Sequence, residues 1–376
     1  MKKVVIIGGG YSGLAVVESL MYVDDIEIVL IDKNNYQYQP KNIYRYISGD
    51  TDFSTIFTDL MPYLQKFPRE ITFIHDEVCL VDTDGKKLKC KSTKEISFDY
   101  LVICAGAETD FLQFEDDLKP RSYGLKTVPR ALALSKAFDE LLYQSIEESN
   151  RDKIFNLAII GAGLSGVEIA ATMATLLAKQ KGAFEDTKER IKIHLIEASD
   201  QILPEMDSYI VKNSTQRLKS LGVEIMLNSA VSEVLEDKVI FRDGGDISFD
   251  LIIFAGGIRG AKLNELLFCE LNYKNQIIAD KYLNFLTVDY IFAAGDCVEL
   301  VDRDGNVLPS NIEMSKKSAD YVATSIGERL RGVSSKPYDF SKDSSFVWLG
   351  DRYVVGKLNK YMGVKGYLGC ILSKIK

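Results

Sequence analysis

VVIIGGGYSGL, residues 4–14, returns as LAIIGAGLSGV at residues 157–167, with the first glycines, Gly8 and Gly161, 153 positions apart. Each copy is an apolar run, a G-x-G-x-x-G turn and a helix-like stretch. Each is answered by a second apolar strand that closes on an acid: IEIVLID ends at Asp32 and IKIHLIE at Glu197. A third pair repeats as well, SFDYLVICAG (97–106) and SFDLIIFAG (248–256), both buried-strand patterns ending in Ala-Gly. Strand, glycine turn, helix and acid-terminated strand together form a dinucleotide fingerprint, where the glycines alone would be weak. The chain therefore reads as α/β with two Rossmann-like dinucleotide-binding domains.

Working outward, the second copy lies inside the first. YIFAAGDC (290–297) and a helix-like stretch at 311–330 look like the return to the first domain. The expected division is 1–115 with 273–330, then 116–272, then a short basic C-terminal segment, 331–376. QKGAFEDTKER (180–190) lengthens the second copy, placing Glu197 31 residues after Gly166 where Asp32 follows Gly13 by 19; it extends a helix or forms a surface loop. A linker, RGVSSKPYDFSKDSS, leads to a tail with six Lys/Arg and no Asp or Glu from Arg352 to Lys376, interleaved with apolar residues that include Tyr361, Met362, Tyr367, Leu368, Ile371 and Ile375.

The 376 residues carry 46 basic and 54 acidic side chains, a net charge of −8, and are 46% hydrophobic. Those figures fit two or three soluble globular domains and exclude disorder, collagen and a polytopic membrane protein. The acidic balance argues against nucleic acid as a partner. Two histidines, His75 and His194, sit in apolar strand patterns and leave little material for a multi-histidine metal site or proton relay. Six cysteines are scattered singly, as expected in a reducing compartment. MKKVVIIGGG superficially resembles a signal peptide, but its apolar run is short and breaks into the glycine motif, so it reads as a first strand of a chain that stays in the cytoplasm. Residues 157–178 form a 22-residue stretch with one charge, yet three glycines in turn positions make it a buried strand-turn-helix rather than a membrane span.

The chemistry follows from the turns. Gly8 and Gly161 permit the tight turn, Gly10 and Gly163 let a pyrophosphate approach the helix N-terminus, and Gly13 and Gly166 let helix and strand pack closely. Asp32 and Glu197 then accept from ribose hydroxyls. The two ligands must differ, because hydride transfer needs a donor and an acceptor. The N-terminal copy with the distant GDC segment suits FAD, whose polar chain Asp296 would face; the inserted copy suits a nicotinamide nucleotide. A carboxylate at Glu197 repels a ribose 2′-phosphate by about 1 to 4 kcal/mol, so NADH is expected over NADPH. Asp200 adds to the same sign.

At GGGYSG, LIDKNNYQYQP, LVICAGAE, IIGAGLSGVEIA, HLIEASDQILPEMD, FAGGIRG and FAAGDC the sequence resembles the two-dinucleotide-domain flavoprotein disulfide reductase superfamily, and within it the type II NADH dehydrogenases (NADH:quinone oxidoreductases). The resemblance covers nearly the whole chain. It implies that Gly8, Gly10, Tyr11, Ser12, Gly13, Asp32, Lys33, Val78, Ala105, Gly106, Gly295, Asp296 and Ile312 hold FAD. It likewise implies that Gly161, Gly163, Leu164, Ser165, Gly166, Glu197 and Gly256 hold NADH. Glu168 matches a family glutamate near the nicotinamide and flavin rings. The implied function is NADH oxidation with two-electron transfer to a membrane quinone, without proton pumping. The protein would lie peripherally on the inner face of the cell membrane, its 352–376 tail on an anionic surface; a homodimer is left open.

Two departures bear on the acceptor. Gln39-Pro40 matches the family's quinone-pocket segment, but the family's Pro-x-x-Ala-Gln run reads Pro309-Ser310-Asn311-Ile312-Glu313 here. An ionised carboxylate only accepts hydrogen bonds, where an amide also donates. Glu313 could be protonated, pair with Lys316 or Lys317, or suit another acceptor. The tail is also shorter than the family's usual membrane-anchoring end, which leaves a disordered terminus or a protein-docking tail as alternatives. Two competing functions follow: a sulfide:quinone oxidoreductase, disfavoured because no cysteine lies between Cys104 and Cys269, and an NADH-reduced flavoprotein that serves a protein acceptor.

Overall fold

The computed structural model describes residues 1–92, 95–180, 187–285, 288–341, 345–358 and 361–373. The chain divides into two compact units. The first comprises Met1–Gln39, Phe57–Glu108 and Ile258–Lys342. Its centre is a five-stranded parallel sheet in the order Ile291–Ala293, Tyr100–Ile103, Lys2–Ile7, Ile26–Asp32, Ile71–His75. Both faces of the middle strand are covered, which is why it reads as an unbroken apolar run: Val4, Val5 and Ile6 are fully buried. The MKKVVII stretch is thus a first strand, as its sequence indicates. The helix Tyr11–Leu20 packs against the returning helix Ile312–Leu330. That second helix buries Ser315, Ser318, Ala319, Val322, Ala323 and Ile326 at three- and four-residue spacing, and Asn311 caps it by accepting from the Met314 amide at 2.9 Å.

The second unit comprises Pro40–Ile56, Thr109–Gly257 and Asp343–Lys376. Its parallel sheet repeats the pattern with four strands: Glu224–Met226, Ile191–Ile196, Phe155–Ile160, Leu251–Phe254. In each unit the glycine-motif strand lies between the acid-terminated strand and the Ala-Gly strand, with Val4 opposite Tyr100 and Leu157 opposite Leu251. Even the edge contacts repeat. Asp99 accepts from the Lys3 amide at 2.8 Å, and Asp250 from the Asn156 amide at 2.7 Å, so each SFD aspartate ties its strand to the neighbour. The apolar stretch from 157 resolves into the end of a strand and the helix Leu164–Ala178, buried almost all round. Among the described residues no helix is long and apolar enough to cross a membrane.

The chain leaves the first unit at 108/109 and re-enters it at 257/258, where the sequence reading drew its boundaries at 115/116 and 272/273. Side chains explain the attachment of 258–272 to the first unit: Asn264 donates to the carbonyls of Asn275 at 2.8 Å and Cys297 at 3.0 Å, which ties this stretch to the GDC turn.

Two segments of the second unit carry no repeat signature. Between the paired strands Tyr36–Tyr38 and Phe57–Asp59 of the first unit, the chain departs through the helix Pro40–Ile47, whose Ile43 and Ile47 are buried one turn apart and which packs on Leu164–Ala178. After residue 345 an antiparallel sheet forms, Ser345–Trp348, Val354–Lys357 and Gly363–Lys365, followed by the short helix Gly366–Leu372. Val347, Leu349, Val354 and Val355 are fully buried. Gly350 (φ +76°) and Gly363 are required here, since a Cβ would lie 1.9 Å from the Thr175 hydroxyl and 2.5 Å from the Tyr209 ring, respectively. The described part of the basic tail thus folds as two of these strands and the short helix; the outer part of the expected extension at 180–190 (181–186), and Ile375 with the last residues, lie outside the described residues.

Candidate active site

Each glycine motif folds closely around main-chain carbonyls, those of the neighbouring strand and its own. Gly8 and Gly161 have φ of +106° and +99°, and a Cβ on them would lie 2.2 Å from the Cys104 carbonyl oxygen and 2.6 Å from that of Ala255. A Cβ on Gly13 or Gly166 would lie 1.8 Å from the carbonyl oxygen of Gly8 or Gly161. The third glycine is thus demanded by its own loop. Gly10 and Gly163 differ: nothing stands within 4 Å of a Cβ there, so the helix N-termini face open space of the kind an anionic group occupies.

The two acids are aimed by main-chain amides. Asp32 accepts from Gly9 at 2.5 Å and from Asn34 at 2.7 Å; Glu197 accepts from Ala162 at 2.8 Å and from Ser199 at 2.9 Å. Burial pushes the Asp32 carboxyl up, although both amides and Lys33 pull it down. In the first unit the structure brings the GDC turn to the first motif. Gly295 (φ +83°) stands against Ser12, its amide donates to the Ser318 hydroxyl at 3.0 Å, and Ser315 donates to Asp296 at 3.2 Å. Gly106 (φ +69°) follows the Ala-Gly strand, with Ala105 half-buried and Val78 buried at the start of its own strand. In the second unit Leu164 and Ser165 open the helix, and Gly256 lies against the Phe254 ring.

Gln39 and Glu313 are both engaged. The Tyr11 phenol donates to the Gln39 carbonyl oxygen at 2.6 Å, while the Gln39 amide nitrogen donates to Gln37 at 2.7 Å and Thr58 at 3.2 Å. Both amide protons of Gln39 are thereby used within the first unit. Glu313, in the first turn of its helix next to Ile312, pairs with Lys317 at 2.9 Å.

Glu168 lies on the helix Leu164–Ala178, and its carboxyl accepts from the Trp348 amide at 3.1 Å and from the Tyr44 phenol. Burial pushes it up to about 7; the Trp348 amide, Lys41 and Tyr44 pull the other way. A carboxyl of that kind exchanges a proton near neutrality, the property expected of a group serving a reaction. Sequence reasoning singled out Glu168 but not the neighbours of its carboxyl, Lys41, Tyr44 and Trp348, which no motif marks.

The six cysteines are free. Cys297 is buried with its thiol pushed up to about 12, and burial drives Cys104 higher still, so neither is a ready nucleophile. His194 is buried between Asn156 (3.0 Å) and Glu224 (3.1 Å), and burial lowers its pKa; His75 is exposed on an edge strand.

Comparison with known proteins agrees with this architecture. A curated relative, the type II NADH:quinone oxidoreductase of Staphylococcus aureus, is 24% identical over 363 residues, covering 94% of this chain and 89% of the relative. The structure of NDH2 from Plasmodium falciparum in complex with NADH superposes with a TM-score of 0.85 at 18% identity, over 100% of this chain and 93% of that one. The sulfide:quinone oxidoreductase of Aquifex aeolicus gives 0.82 at 19%, over 100% and 89%. These structural likenesses concern the fold. The model of the pyridine nucleotide-disulphide oxidoreductase family matches residues 2–320, across both glycine motifs and their acids, and the chain belongs to that family.

Proposed function

We propose that the protein oxidises NADH through FAD and delivers two electrons to a quinone. The observation that carries this reading is the duplicated frame: two sheets, each with an amide-held acid and an open second glycine. Two dinucleotides suit a reaction in which one reduces the other. FAD is assigned to the first unit, where the Gly8–Gly13 turn, Asp32 and the Gly295–Asp296 turn would hold it, together with Lys33, Val78, Gly106 and Ile312. NADH is assigned to the second unit, on Gly161–Gly166, Glu197 and Gly256. When bound, FAD supplies the capacity to take a hydride equivalent from NADH and to release two electrons.

The protein's own contribution is binding, orientation and proton handling. The helix N-termini at Gly10 and Gly163 neutralise pyrophosphate charge. Glu197 accepts from ribose hydroxyls and repels a 2′-phosphate. Glu168 holds or releases a proton near pH 7. The name of the Staphylococcus aureus relative supports quinone as acceptor. Attachment to an anionic membrane surface is assigned to the C-terminal region, where Tyr361, Met362, Tyr367, Leu368 and Ile371 are exposed. Its electrostatic part is reduced, because Lys357 is already paired with Asp207 at 2.8 Å.

One observation favours a second reading, transfer to a protein acceptor: Gln39 and Glu313 offer no spare amide donor to a quinone oxygen. Anaerobic mixing decides between them. Bleaching of the flavin band by NADH and its recovery with a short-chain quinone support the proposal. Bleaching without recovery moves the acceptor to a protein, and bleaching by sulfide alone overturns the reading of the cysteines.

A further inference from the structure

Glu168 receives its neighbours from two parts of the chain that carry no dinucleotide motif. The helix Pro40–Ile47 packs on its helix and brings Lys41 and Tyr44; the first strand of the C-terminal sheet also packs there and brings the Trp348 amide. On its own helix, Thr172 donates to the Glu168 main-chain carbonyl at 2.8 Å and leaves the carboxyl alone. Among the described residues, no charged side chain from the strands Phe155–Ile160 and Ile191–Ile196, or from the helix Ser208–Ser220, joins the groups acting on that carboxyl.

We propose that Tyr44 and Lys41 are positioning residues for Glu168, the phenol fixing the direction of the carboxylate and the ammonium balancing its charge, with the Trp348 amide tying the same group to the C-terminal sheet. The inference rests on Glu168 being a group of the reaction centre, and extends that reading to residues outside the dinucleotide motifs. All three partners favour the ionised form, against the desolvation that favours the neutral one. The balance leaves the carboxyl able to change charge near neutral pH. Lys41 is exposed, so its share is screened by salt; the Tyr44 hydrogen bond is short-ranged and is not.

That difference supplies a test which a merely structural role would not pass. In the FAD-loaded protein, the infrared stretch of the protonated Glu168 carboxyl is assigned by its loss in Glu168→Gln and followed against pH. Tyr44→Phe is expected to raise its midpoint by about one unit, at any ionic strength. Lys41→Met is expected to raise it by a few tenths of a unit at low salt, and the gap from the parent protein should close in about 1 M salt. Midpoints unchanged in both variants would overturn the proposal. Because Lys41 is on the surface, its variant keeps the test available if Tyr44→Phe fails to fold. The pH dependence of flavin turnover, measured alongside, reads the underlying assignment separately. Shifted infrared midpoints with an unshifted turnover profile would support the positioning and refute Glu168 as a group of the reaction centre.

Discussion

Glu197 offers the sharpest test of the nucleotide assignment. Its two carboxylate oxygens accept from the Ala162 and Ser199 amides at 2.8 and 2.9 Å, so swinging the side chain aside to admit a 2′-phosphate would break both bonds. Two like charges about 4 Å apart repel by about 1 kcal/mol at a water-like dielectric and about 4 kcal/mol at the value typical near a protein surface. This corresponds to a discrimination of roughly 5- to 1000-fold. Glu197→Gln removes the charge while preserving volume and one accepting oxygen, whereas Glu197→Ala would strand both amides. The glutamine leaves one amide facing its NH2 group, at a cost of about 1–3 kcal/mol, so thermal stability must be recorded in parallel. Steady-state kcat/KM for both nucleotides is the assay. The NADH-to-NADPH ratio should narrow at least about fivefold, through a gain for NADPH and a loss for NADH. An unchanged ratio in a folded, flavin-loaded variant would refute the electrostatic reading and the placement of the adenosine ribose.

Three further outcomes are expected. Gly13→Ala must displace the Gly8 carbonyl, which would lie 1.8 Å from the new methyl, and should destabilise the protein by about 1–3 kcal/mol in denaturant unfolding; Gly10→Ala meets nothing within 4 Å and should fold normally yet purify without flavin. Glu168 is raised from 4.5 to about 7 on folding, so the folded state binds the extra proton between those values and stability falls as pH rises through that window; Glu168→Gln should flatten this dependence and stabilise the protein above pH 7 by on the order of 3 kcal/mol, measured by urea midpoints at pH 5 and 8. Replacing Tyr367, Leu368 and Ile371 together by serine should weaken co-sedimentation with anionic liposomes at least about tenfold, while undiminished binding would relocate the membrane surface.

The doubled frame was legible in the sequence because its constraints are local and occur twice. A glycine whose missing Cβ spares a carbonyl 1.8 Å away can be no other residue, and it recurs at the same offset in each copy. The same holds for Asp32 and Glu197, each held by an amide of its own turn, and for the SFD aspartates on the flanking strands. Continuous apolar runs marked the central strands because both of their faces are covered. From these features the α/β class follows, and the family entered through the resemblance that the same segments carry.

The surroundings of Glu168 were not legible. Trp348 is 180 positions away, Tyr44 and Lys41 precede the first Ala-Gly strand, and no spacing rule links any of them to SGVEIA. Nor did the tail's composition reveal that Val347, Leu349, Val354 and Val355 form a buried sheet while Tyr361, Tyr367 and Leu368 stay exposed, since the apolar residues alternate over short, irregular strands. The two glycine turns and the acids that answer them could thus be read from the chain alone, because steric limits on backbone are written residue by residue. The upward push on the Glu168 carboxyl and the engagement of Gln39 come from the tertiary structure, because desolvation and hydrogen-bond partners depend on which distant elements pack around a group, whereas the Glu313–Lys317 pair spans a single helical turn.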